Sequence, residues 1–96
     1  MTWLKVTISA DDVAKGLHTH LKEKFQMVTS RMRGAKGVAM FGPQDAAGEY
    51  VCYFSPASVP LVGDFLKARG AMECEAPRRS EVCLLAGDAE ALNLLA

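Results

Sequence analysis

Glu49-Tyr50-Val51-Cys52-Tyr53-Phe54-Ser55 is the segment whose reading decides the fold. Positions 50–54 are apolar or aromatic without a polar alternate, so neither side of such a strand suits water. A strand of that kind belongs in the middle of a sheet, with something packed on both faces. The turn residues Gly42, Pro43 and Gly48 precede it and Pro56 follows it, which sets its length.

The neighbouring segments follow from periodicity. Trp3 to Ile8 alternates Leu4, Val6 and Ile8 with Lys5 and Thr7, so it reads as strand 1. Ser9, three residues before Asp12, is a candidate N-cap. Val13, Leu17, Leu21, Phe25, Val28 and Met32 recur at helical steps and predict one helix over about 10–32, weakened at Gly16 and stopped at Gly34. Val38 to Phe41 reads as strand 2. Ser58 is the expected N-cap of a second helix carrying Leu61, Val62, Phe65 and Leu66 and ending near Gly70. Met72, Cys74 and Ala76 alternate with Glu73 and Glu75 as strand 4, and Val82 to Ala86 forms strand 5. Asp88 can cap a short terminal helix with Leu92, Leu94 and Leu95.

The order β-α-β-β-α-β, with one more strand and a short helix, predicts a single α+β domain over 1–96. The simplest packing is a ferredoxin-like two-layer sandwich with both helices on one face. Two crossovers are expected to place strands 1 and 3 centrally and parallel, with strand 5 beside strand 4 at the edge. The second face then needs a cover, because apolar groups on strand 3 point both ways. A second subunit, a ligand or segment 87–96 could supply it.

The chain has 96 residues, 11 basic and 11 acidic, and a formal net charge of zero. That argues against a uniformly basic nucleic-acid binder. The zero hides an asymmetry: residues 1–40 hold seven basic and three acidic groups, net +4, and residues 41–96 hold four and eight, net −4. Complementary halves favour self-association. No apolar run spans a bilayer or resembles a signal peptide, so a cytoplasmic protein without membrane attachment is expected, with its three cysteines reduced.

Motifs with chemistry are weak. His18 and His20 stand two apart on a helix and point to different sides, so no metal site is expected. No CxxC occurs; Cys74 belongs in the core and Cys83 on the opposite face, as structural thiols. Gly34 to Gly37 reads as a helix stop and loop rather than a phosphate clamp. The basic side of the first helix (Lys15, Lys22, Lys24, Arg31) reads as a solvated face. The third strand departs from the RNA-recognition pattern at its basic and first aromatic positions, so no family membership follows.

The functional expectation is a non-catalytic protein–protein interaction module that self-associates as a homodimer through its sheet. Trp3, Tyr50 and Tyr53 are its anchors. The alternative is a small-molecule-binding protein or small enzyme with a pocket between the sheet and loop 42–48, using Asp45, Glu49, Tyr53 and Ser55. A second alternative is RNA binding through sheet aromatics. No cofactor and no metal is implied.

Overall fold

The computed structural model describes residues 2–31, 36–44 and 49–96. Its elements are β1 (Trp3–Ile8), α1 (Ala10–Ala14), α2 (Leu17–Thr29), β2 (Ala39–Pro43), β3 (Tyr50–Phe54), α3 (Val59–Lys67), β4 (Met72–Cys74) and β5 (Val82–Gly87). Single 3-10 turns precede α3 (Pro56–Ser58) and β5 (Arg79–Glu81), and a terminal 3-10 helix spans Ala89–Leu94. The protein is α+β, with one five-stranded sheet in the order β4-β1-β3-β2-β5.

β3 is indeed the middle strand, but every neighbouring pair is antiparallel. β1 runs against β3, with Leu4 opposite Phe54 and Val6 opposite Cys52. The expected parallel pair of strands 1 and 3 is therefore corrected: the chain crosses over β3 between β1 and β2, so β3 enters between them in the opposite sense. β5 does not pair with β4 either. It pairs with β2 at the far edge. The cause is burial, since Ala39 to Gly42 is buried and would otherwise be an edge, whereas β4 is three residues long and mostly exposed. Met72 is 64% exposed, against the expectation that it faces the core.

β5 carries one extra residue against β2. Met40 pairs with Ala86 and Phe41 with Leu84, so Leu85 bulges. The bulge turns both Leu85 and Ala86 toward the helices, while Leu84 packs on the opposite face. Gly42 makes room for it: a Cβ there would come 2.6 Å from Leu85 Cδ1 and 2.9 Å from the Tyr50 hydroxyl.

The first helical region is two helices, not one. Gly16 takes a φ of +81°, a left-handed conformation that glycine adopts without the steric penalty of a Cβ. α1 ends at Ala14 and α2 begins at Leu17, after this glycine. Ser9 caps α1 as expected, its Oγ accepting from Asp12 N at 3.2 Å. Leu21 and Phe25 of the predicted stripe are buried, and Met32 and Gly34 lie outside the described residues. Ser58, by contrast, does not cap α3. Its hydroxyl meets Ser55 Oγ at 2.9 Å, and Ser55 Oγ accepts from Ala39 N at 3.0 Å and donates to Gly37 O. Both serines are wholly buried, so their hydroxyls complete the polar groups where β2 begins beside the end of β3.

Two cores result. Toward the helices, Leu4, Val6, Ile8, Met40, Cys52 and Phe54 meet Leu21, Phe25, Val62 and Leu66. On the other face Trp3, Ala39, Phe41 and Val82 meet Ala91 and Leu95 of the terminal segment. Trp3 and Phe41 stack with centroids 5.7 Å apart. Trp3 is only 5% exposed, so the cover over this expected interface anchor comes from its own chain. The segment is latched at both ends. Asp88 Oδ2 accepts from Gly37 N at 2.8 Å, Asp88 Oδ1 caps Glu90 N at 3.0 Å, and Arg79 N donates to the Ala96 carbonyl at 2.9 Å.

The N–H groups of Gly37 and then Glu90, aided by Lys36, hold the Asp88 carboxyl below its ordinary 3.8. A lowered folded-state value stabilises the fold at pH above the ordinary value and loses that effect as pH falls through the folded one. In acid denaturation, Asp88→Asn should therefore flatten the loss of stability below pH 3.8. An unchanged acid limb would refute the latch.

Candidate ligand cleft between the helices

Helical period brings the cleft together. Leu17, His20, Leu21 and Lys24 fall at i, i+3, i+4 and i+7 on α2, so they share one face. Phe65 lies in the last turn of α3, and Arg69, four residues on, lies just past its end. These two faces, with Asp12 of α1 and Val6 to Ile8 of β1, enclose a cavity of about 290 Å³. That is near the lower size of small-molecule sites. Leu21, Val6 and Ile8 are buried and belong to the helix-side core, so the floor is apolar. Leu17 is 41% exposed at the cleft.

Both cations of the cleft gather on one aromatic ring. The Arg69 guanidinium carbon sits 3.7 Å from the Phe65 centroid, and Lys24 Nζ lies 5.8 Å from it. Arg69 Nη1 also donates to the Phe65 carbonyl at 3.4 Å. A guanidinium resting on the ring keeps N–H groups for an anion, in the fork geometry that suits carboxylate or phosphate. Against these two cations stands one carboxylate, Asp12, so the cleft is cationic over an apolar floor.

The residues expected to form a site are dispersed. Tyr50 faces the helices and stacks on His18 with centroids 4.9 Å apart, while Tyr53 faces the other way, beside Cys74 and Leu84. Burial first, then Cys52 and Cys83, raises the Tyr50 phenol; burial first, then Cys74 and Glu81, raises that of Tyr53. Ser55 is enclosed by its bonds to Gly37, Ala39 and Ser58 and offers no hydroxyl to a ligand. Glu49 is exposed just before β3, and Asp45 lies outside the described residues. The pocket expected beside loop 42–48 thus falls largely on residues 45–48, outside the described part.

His18 and His20 diverge as their helical spacing requires: His18 packs on Tyr50 with a buried, unpartnered Nδ1, and His20 lines the cleft. Among the described residues no three metal-ligating side chains cluster. Cys74 and Cys83 do occupy opposite faces, though from opposite edges of the sheet rather than across a hairpin. Cys83 Sγ lies 3.8 Å from the Pro43 carbonyl.

No protein-family profile, curated protein or solved structure matches this chain. No helix among the described residues is long and apolar enough to cross a membrane.

In the sequence Lys24 is one of several basic helix residues, and no motif joins Phe65 to Arg69. Their i, i+4 spacing was the available signal, but only packing of α3 against α2 aims it at Lys24.

Burial raises the Cys74 thiol and pushes Cys52 up to about 12. A thiol with that value holds almost no thiolate at pH 8. Iodoacetamide at pH 8 should leave Cys52 unmodified in the folded protein and alkylate it in denaturant. Mass spectrometry finding native labelling at Cys52 would contradict its burial.

Proposed function

We propose that this chain is a binding protein for a small organic anion, held in the cleft between α2 and α3. The observation that carries the reading is the convergence of Lys24 and Arg69 on the face of Phe65, over an apolar cavity. An anion there gains charge-assisted hydrogen bonds while its organic body covers Leu17, Leu21 and Phe65. The reading takes up the alternative drawn from the sequence, a small-molecule-binding protein, and sets its pocket between α2 and α3 instead of beside loop 42–48. It is a reading of binding, not of catalysis. The fold proposed alongside it is the ferredoxin-like split βαβ sandwich with β5 added. The order β4-β1-β3-β2 and the helices between β1 and β2 and between β3 and β4 support it.

The test is thermal denaturation with hexanoate, phenylacetate and phenyl phosphate. A ligand at 100 times its Kd stabilises by ~2.7 kcal/mol, enough to raise the midpoint visibly. Lys24→Ala or Arg69→Ala should weaken binding about 10- to 100-fold, the equivalent of ~1.5–3 kcal/mol for a hydrogen bond to a charged group. Absence of any shift at millimolar anion would sink the reading.

Self-association through the sheet has its own supporting observation. The terminal segment covers the Trp3 end of the second face, but Met72 is 64% exposed beside Lys5, and Lys5 pairs with Tyr53. A homodimer closing this remainder would scatter light as twice 10.3 kDa at micromolar concentration, and Tyr53→Ala would lower that mass. A wild-type monomer under those conditions removes the homodimer from consideration.

A further inference from the structure

The cavity reaches the backbone of a strand that is unpaired on one edge. Val6 and Ile8 point into the helix-side core, whereas Thr7 alternates to the opposite, exposed side of the sheet. All three line the same cavity. A space on the helix side that also touches Thr7 reaches the β1 backbone, which beyond Lys5 has no strand partner on its outer edge. β4 has stopped covering that edge: its ladder with β1 ends at Lys5 opposite Met72, and Ala71 N turns back to the Leu66 carbonyl. β1 therefore runs three residues past its outer neighbour. Successive strand residues direct their N–H and C=O groups to alternate edges, so at least one of the three presents both groups to that unpaired outer edge.

We propose, resting on the anion-binding reading above, that the cleft takes the carboxyl terminus of an extended peptide. The peptide pairs antiparallel or parallel with the β1 edge at Val6 to Ile8. Its terminal carboxylate lies against Arg69 and Lys24. Its last apolar side chain enters toward Leu17, Leu21 and Phe65. Three strand positions span roughly 10 Å, at ~3.4 Å per residue, which fits the last two or three residues of a chain.

Charge and geometry favour this occupant. A hydrocarbon acid would neutralise the cations yet leave the β1 edge dehydrated without partners, whereas a peptide main chain supplies donor and acceptor at strand spacing. Asp12 on the same cavity opposes an extended polyanion, while a single terminal carboxylate leaves Asp12 able to accept from a peptide N–H. The guanidinium already rests on Phe65 at the cleft, so less side-chain freedom is lost when it closes on a carboxylate than for a free arginine.

The test uses the full chain, isotope-labelled, with acetyl tripeptides ending in Val, Leu or Phe as free acids. The matching C-terminal amides, and hexanoate and phenylacetate, serve as controls. Expected results are at least tenfold tighter binding of one tripeptide acid than of its amide or of either simple acid, with amide shifts at Val6, Thr7 or Ile8. Arg69→Ala should erase the preference for acid over amide, and Arg69→Lys should restore it in part. Retained dispersion of the amide spectrum shows that each variant is folded. If hexanoate or phenylacetate binds as tightly as the peptides, or the shifts avoid Val6 to Ile8, peptide pairing is wrong and the anion cleft stands. If none of the acids binds, both fall.

Discussion

The structure depends on a central strand that tolerates water on neither side. Cys52 and Phe54 of β3 point into the helix layer, and Tyr53 points into the other core. Burial of apolar surface is the main favourable term in folding, so a sheet of this kind is stable only when both faces are covered. Helices α2 and α3 cover one face. The last residues of the chain cover much of the other, with Ala91 and Leu95 over Trp3 and Phe41. A small domain of ordinary composition thus becomes three layers, the third being thin and made of a 3-10 helix.

A thin layer brings few contacts, and its polar fastenings matter correspondingly more. Asp88 ties the exit of β5 to Gly37, and the Ser55–Ser58 pair ties the end of β3 to Ala39. These groups meet at the start of β2, the strand buried on both sides between β3 and β5. Buried backbone groups need partners. Here the partners come from side chains distant in sequence, so the fastening closes only when β2 lies beside both β3 and β5.

The cleft follows from the same layout. Three-residue β4 leaves the far half of β1 without an outer neighbour, and α2, which begins after Gly16, lines the same cavity as that half. α3 packs alongside and brings Phe65 with its stacked Arg69 toward Lys24. Charge, ring and strand edge come from four separate elements, and no local motif joins them. The aromatics of β3 are the conspicuous feature of the sequence, yet Tyr50 and Tyr53 are turned to opposite faces and Ser55 is consumed by structure.

Periodicity alone determined the strands and helices, the caps at Ser9 and Asp88, the central place of β3 and the need for two covers, because these depend on neighbours a few residues apart. It could not decide the sense of β1 against β3, the pairing of β5 with β2 or the break at Gly16. Each of those balances alternatives that look alike locally: a strand fits either edge until the burial of its partner is known, and a glycine continues or ends a helix according to where the next helix must pack. The charge halves, +4 and −4, were equally legible, yet they did not locate a site. The tertiary structure located it, by setting one lysine from the basic half and one arginine from the acidic half on the same phenyl ring. Electrostatics is local at protein distances, and only the packed fold fixes which charges are near.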